Sequence, residues 1–251
     1  MLDSLQYFIL GIIGIIFGQV VAHVIKKVCP FISERITKEE FFNTFLKDYK
    51  IDVKYSSILI VFYTILFYFY GIHLASILAL FLVPILLIVF SVDYQENLIP
   101  DTAHILIFLL GIIKLCIEKN TWQDQLLGLL IGGGSFLAIA GIAYLFLKKE
   151  GMGFGDVKLM AGLGFFFGVE KILVIIIASF IIGATAAIIL LLTKKRGRED
   201  YIPFGPFIVI GTFVAILIPS SWLIEGYIAF CTFLGRGITD GIYHIISKLK
   251  Q

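Results

Sequence analysis

The stretch LASILALFLVPILLIVFSVDYQENLIPDTAHILIFLLGIIKLCI, Leu74 to Ile117, decides what kind of molecule this is. Two nearly uncharged runs, 74–91 and 103–118, flank a polar turn that carries Asp93, Glu96, Pro100 and Asp101. A helix needs about 20 mostly apolar residues to cross a hydrocarbon core about 30 Å thick. The two runs therefore read as membrane spans joined by a polar turn at Ser91–Asp101.

Composition extends that reading to the whole chain. Of 251 residues, 59% are hydrophobic and only 15% are charged, where a soluble domain carries about 25% charge. Such a chain cannot cover its apolar surface with polar groups in water, so its solvent is partly a lipid bilayer. A disordered chain, a collagen and a secreted disulfide scaffold are excluded. A formal net charge of +2 gives no sign of nucleic acid as a partner.

Working outward, the spans fall near 5–25, 56–71, 74–91, 103–118, 124–147, 157–168, 171–193 and 205–224. The first has no small cleavable site behind it and reads as a retained span. The stretch 157–193 is too long for one helix and breaks at Gly168–Lys171. The expected fold is all-α, a polytopic helical membrane bundle of about eight transmembrane helices. It is read as one domain over 1–251, with a helical cytosolic loop at 26–54 and an interfacial tail from Gly226. Short loops rich in Lys and Arg stay in the cytosol. Loops 26–54, 148–158 and 194–203 hold seven, three and four such residues. This puts the N-terminus outside and the turn at Ser91–Asp101 in the cytosol. The run Lys194-Lys195-Arg196-Gly197-Arg198 reads as a topogenic loop facing lipid headgroups.

Small residues recur at four-residue spacing, at Gly14 and Gly18, Gly128 and Gly132, and Gly183 and Ala187, as where helix backbones approach closely. Gly132-Gly133-Gly134 reads as tight packing. Cys29, Cys116 and Cys231 form no CxxC pair, so no metal site is expected. His23, His73, His104 and His244 show no ligand spacing.

Two carboxylates adjoin spans, where an ionisable group costs about 2.5–3.5 kcal/mol on insertion scales. Asp93 ends one apolar run, and Asp156 opens another after Gly151-Met152-Gly153-Phe154-Gly155. With both loops on the cytosolic side, the two lie at similar depth and meet between helices. Carboxylates sharing a partly dry site hold one proton between them and titrate as a unit. Such a pair activates a water against a carbonyl and hands the proton to a leaving amine. Glycines at 151, 153 and 155 let a substrate backbone or another helix lie against the site. Asp101, after Pro100, reads as the cap of the next helix.

At this point the residues resemble a known family. Gly153-Phe154-Gly155-Asp156-Val157-Lys158-Leu159 resembles the GxGDxK(L) signature of type IV prepilin peptidases, which are GxGD membrane aspartyl proteases. The block Asp93 to Asp101 resembles their other aspartate motif, which ends in I/L-P-D. Ile202-Pro203-Phe204-Gly205-Pro206-Phe207 looks like their PFGPF segment. The three occur in family order over roughly 90–210. The presenilin branch fits less well, since the order here is Asp93-Tyr94 and no PAL motif occurs.

The resemblance implies an aspartyl endopeptidase that cuts a short basic leader from prepilins or pseudopilins, on the cytosolic side, just before their hydrophobic helix. Asp93 and Asp156 would be the catalytic pair. Pro100, Asp101, Gly153, Gly155, Lys158, Pro203, Gly205 and Pro206 would support the site, with no metal. Many bacterial members also carry two CxxC pairs in a larger first loop and methylate the new N-terminus. Here loop 26–54 has one cysteine, and Gly18-Gln19-Val20-Val21-Ala22-His23 stands where a GSFxN-like block is expected. Zinc and methylation by S-adenosylmethionine are therefore not expected, and cleavage alone, as in the archaeal branch, is the simpler reading. Glu96, Glu199 and Asp200 are candidates to attract a basic leader. The rival readings are a proton- or cation-coupled carrier using the same aspartates, and a catalytically idle scaffold. A carrier would be expected to show an internal repeat, and none is found.

Overall fold

The computed structural model describes residues 2–34, 53–118, 121–148, 153–193, 202–218, 225–226 and 232. Eight helices carry the chain through these residues: α1 (Leu2–Glu34), α2 (Val53–Tyr70), α3 (Leu74–Glu96), α4 (Asp101–Ile117), α5 (Trp122–Leu147), α6 (Phe154–Phe167), α7 (Val169–Leu192) and α8 (Gly205–Leu217). No strand occurs among the described residues. The chain forms two compact units, Met1–Leu217 and Ile218–Gln251, and all eight helices belong to the first.

Five of these helices contain stretches long and apolar enough to cross a membrane, in α1, α2, α3, α5 and α7. The chain is a multi-pass membrane protein. Large apolar side chains such as Phe8, Ile65, Leu130 and Leu192 point outward, as they must when the surrounding solvent is lipid. α1 differs from expectation in one respect. It continues unbroken through Lys26 and Lys27 to Glu34, so the start of the polar stretch extends the first helix. Residues 35–52, the basic loop 194–201 with Glu199 and Asp200, and most of the tail lie outside the described residues. So does the end of the span read as 205–224, beyond Ile218.

The break in 157–193 falls at Gly168, whose φ of 84° lies in the left-handed region that a residue without Cβ adopts freely. The Asp124 carboxylate accepts a hydrogen bond of 3.1 Å from the Val169 amide and so satisfies the start of α7. α6 is only 14 residues, about 21 Å at 1.5 Å per residue, and is buried on nearly every side. It packs against α5, α4 and α7.

The small residues do what their spacing implies. A Cβ on Gly128 or Gly132 would collide with the backbone carbonyls of Gly164 and Met160, so α5 and α6 touch backbone to backbone. Gly133 abuts Ala161, whereas Gly134 faces open space, so the triple glycine packs tightly at two of its three positions. Gly14 and Gly18 seat α1 on Ile60 and Ser56 of α2, and Gly183 admits Phe204 and Phe207. α3 carries Pro84 in its interior, which deprives the Leu80 carbonyl of its helical donor. The fully buried Tyr63 hydroxyl donates to that carbonyl at 2.7 Å. That carbonyl is thus satisfied from a neighbouring helix.

Candidate active site

Asp93 occupies the last turn of α3 and Asp156 the first turn of α6. Each is about 4% exposed, and they are the two buried carboxylates among the described residues. The helix ends dictate their placement. Asn97 closes α3 in the left-handed conformation, φ 53°, and returns its amide to the Asp93 carbonyl at 2.9 Å. Gly153 is the N-cap of α6, and the Asp156 carboxylate reaches back to its amide, as an acid three residues into a helix does in a capping box.

Both carboxylates open into one cavity of about 270 Å³. At about 30 Å³ per water in the liquid, that holds several water molecules. Asn97, Leu98, Ile99 and Asp101 of the first motif face Gly153, Phe154, Gly155 and Lys158 of the second across it. The two aspartates lie near enough for their charges to repel.

The third motif supports Asp93 from behind. The Gly205 amide, at the start of α8, donates to the Asp93 carboxylate, where the helix N-terminus favours negative charge. A Cβ on Gly205 would sit 2.5 Å from Asp93 Oδ2, so only glycine permits this approach. Oδ2 itself is buried with no hydrogen-bond partner. Pro203 and Pro206 are buried beside Gly205 and set the turn into α8, without lining the cavity. Phe204 anchors that turn against Phe136 and Phe180, with ring centroids 5.8 and 5.3 Å away.

Asp101 departs from expectation. It is the first residue of α4, Pro100 holds the N-cap position, and no side-chain cap bond forms there. Its carboxylate instead accepts a hydrogen bond of 2.9 Å from Lys158 Nζ. Standing ahead of the apolar run 103–118, Asp101 is held below the usual carboxylate range by that hydrogen bond and by the lysine's charge. The ion pair fastens the first motif to the second. Gly155 presses on Ile99, 3.3 Å from where a Cβ would stand, so this glycine admits a neighbouring segment of the site itself. Gly151 lies outside the described residues, and Glu96 is half-buried without lining the cavity.

Spacing rules overlooked His104. It is 5% exposed, its Nε2 lies 3.0 Å from the carbonyl of Gly155, and its Nδ1 lies 3.6 Å from Asp101 Oδ1. It joins the residue preceding Asp156 to the Asp101–Lys158 pair. A test for metal-ligand spacing could not find it. The cost of an ionisable ring inside an apolar run, which demands a partner, could have. Among the described residues, no three His, Cys, Asp or Glu side chains converge as metal ligands.

These features define a class: a polytopic helical membrane protein with a buried carboxylate pair at one end of its bundle. Comparison with known proteins sharpens it. Residues 80–188 match the type IV leader peptidase family, a range that holds both aspartates and the lysine. The chain is 32% identical over 143 residues to a prepilin leader peptidase/N-methyltransferase of Xanthomonas campestris, covering 56% of this chain and 49% of that one. It is 34% identical over 162 residues to the protein of that name from Bacillus subtilis, covering 63% and 62%. A third, from Stutzerimonas stutzeri, is 33% identical over 136 residues, covering 53% and 46%. The chain thus spans about half to three-fifths of the length of these relatives. No solved structure matches it. Residues 80–188 are thus similar to the type IV leader peptidase family.

Proposed function

We propose that this chain is an aspartyl endopeptidase of the membrane that removes the short basic leader from prepilins or pseudopilins. The observation that carries the reading is that the two buried carboxylates among the described residues share one cavity, within the range that matches the family. The relatives' names supply the substrate class.

In the proposed step, one carboxylate takes a proton from a water held between Asp93 and Asp156. The oxygen attacks the scissile carbonyl carbon while the other carboxyl gives its proton to the carbonyl oxygen. Collapse of the tetrahedral intermediate breaks the C–N bond: the amine leaves with the proton of the pair, a hydroxyl of the intermediate returns its own proton to the pair as the carbonyl re-forms, and one shared proton remains. Asp93 and Asp156 both line the cavity where this work would take place, and Asp93 Oδ2 has no hydrogen-bond partner. No cofactor enters the reaction. Methylation by S-adenosylmethionine is outside the proposal, because the CxxC pairs of the methylating members have no counterpart here.

The site is assigned to the cytosolic side of the cell membrane, with the N-terminus outside, on the 14 of 20 basic residues that fall in one set of loops. The carrier alternative draws no support from the relatives' names, and the pair lies at helix ends rather than mid-helix. The test is mass spectrometry of a prepilin incubated with membranes holding the chain, Asp93→Ala or Asp156→Ala, with S-adenosylmethionine present. Leader loss with the unaltered chain only is expected, with no methyl on the product's N-terminus. Cleavage by either variant overturns the mechanism.

A further inference from the structure

Beside the catalytic cavity lies a second hollow of about 420 Å³, and its walls are apolar. α1 and α4 both pack on α3 but leave a gap between themselves. The floor of the gap is Phe81, Pro84, Ile85 and Ile88 of α3. Phe17, Val21, Val24 and Val28 of α1 form one wall, and Thr102, Leu106 and Leu109 of α4 the other. Each set repeats at three- and four-residue intervals, so each is one face of a helix. Three such faces around a gap make the groove that receives a fourth apolar helix.

The groove has a direction. At one end, Phe17 and Phe81 meet edge to face, centroids 5.6 Å apart. At the other lies the connector between α3 and α4, which the groove and the catalytic cavity share. Pro100 and Thr102 line the groove, whereas Leu98, Ile99 and Asp101 line the cavity. From Val28 to Phe17 the wall is about 16 Å long, which matches about 11 residues of helix. Val20, Phe81, Leu106 and Leu109 are each 45–50% exposed along it.

We propose that this groove holds the apolar helix of the substrate, entering from the scissile bond and running between α1 and α4 toward the Phe17–Phe81 contact. This rests on the peptidase reading above and adds where the substrate docks. A peptide bond at the aspartate pair is one connector's width from the groove mouth. A chain that is apolar beyond the cut therefore enters the groove without crossing lipid headgroups. Affinity then comes from the helix and chemistry from the cavity, so the two are separable.

The experiment places p-benzoylphenylalanine in place of Leu106, or of the exposed Leu130 on α5 as control, in the full chain in phospholipid vesicles with a prepilin. After irradiation, adducts are read by mass spectrometry. Position 106 is expected to capture the prepilin within its apolar helix, and position 130 to capture none. Adducts with lipid alone or with a second copy of this chain overturn the proposal. In parallel, Leu106→Trp is expected to raise the prepilin KM about tenfold, the loss of one well-buried apolar contact. Its kcat should stay within about twofold. An unchanged KM overturns the proposal, and if Leu106→Trp does not fold, the adducts decide. An unaltered chain that leaves the prepilin uncut sinks the peptidase reading, whereas a cutting enzyme without the position 106 adduct sinks only the groove.

Discussion

The two ends of the bundle hold similar charges and use them differently. Away from the aspartates, Lys114, Asp124, Glu170 and Lys171 surround a cavity of about 370 Å³. There α6 stops after 14 residues, leaving backbone groups to satisfy. Lys114 Nζ donates to the Phe166 carbonyl at 3.0 Å, and Asp124 accepts from the Val169 amide. The Lys171 ammonium lies over the Phe167 ring, 5.9 Å from its centroid. These charges finish helices. At the other end, the amides of Gly205 and Gly153 reach the aspartates, yet Asp93 Oδ2 has no partner. Charge near a membrane does not by itself mark function; a pair of buried carboxylates lining one cavity does. Gln125, fully buried with neither amide atom partnered, stands apart from both patterns, and nothing in the structure explains it.

The sharpest way to break this contrast is to remove one carboxylate from each end. Asp156→Asn keeps the shape and loses the acid, and leader removal should fall about 10³-fold or more, as when a positioned acid–base group is lost. Asp124→Asn should leave cleavage per folded molecule nearly unchanged and lower the melting temperature instead. Rates from purified protein in vesicles, normalised to folded protein, separate the two. Comparable rate losses from both would end the distinction between the ends.

Next in size is Gly205→Ala. The added methyl would stand 2.5 Å from Asp93 Oδ2, so the carboxylate must shift. Displacement of about 1 Å at a reacting group costs about 10²-fold. The expected outcome is that loss in kcat with both carboxylates still present. An active Gly205→Ala would mean that Asp93 is not held where the reaction needs it. At the opposite end, Lys114→Met should cost about 1–3 kcal/mol of stability, the penalty of an unmet buried carbonyl, with kcat unmoved. Denaturation in detergent checks it.

Much of the fold was legible because lipid enforces a simple rule: apolar runs of the right length become helices. Spans 74–91 and 103–118 appear as α3 and α4, and the break foreseen at 168–171 falls at Gly168. Two features escaped. α1 runs through Lys26 and Lys27 to Glu34, because a helix with satisfied backbone need not stop where its side chains turn polar. The service of Tyr63 to the Leu80 carbonyl is a long-range match that no local pattern announces. In the site, the structure places Asp93 and Asp156 on one cavity. The ties among supporting residues did not show, since Asp101 meets Lys158 across 57 positions.

The smallest of the expected effects tests whether those ties matter to the aspartate end. His104 holds the carbonyl of Gly155 and stands beside Asp101, so its loss frees the peptide that carries Asp156. His104→Ala should lower kcat about tenfold, in keeping with about 1–1.5 kcal/mol for one hydrogen bond whose loss loosens a reacting group. His104→Gln, whose amide donates in place of Nε2, should recover most of that. A purely space-filling histidine predicts the reverse order, with rescue by an apolar residue such as His104→Leu. Combined with Lys158→Met, the loss should be less than the product of the two single losses, because both variants slacken the same junction between motifs. Additive losses would instead place His104 and Lys158 in separate roles, and the two aspartate motifs would then be joined only through the cavity that they face.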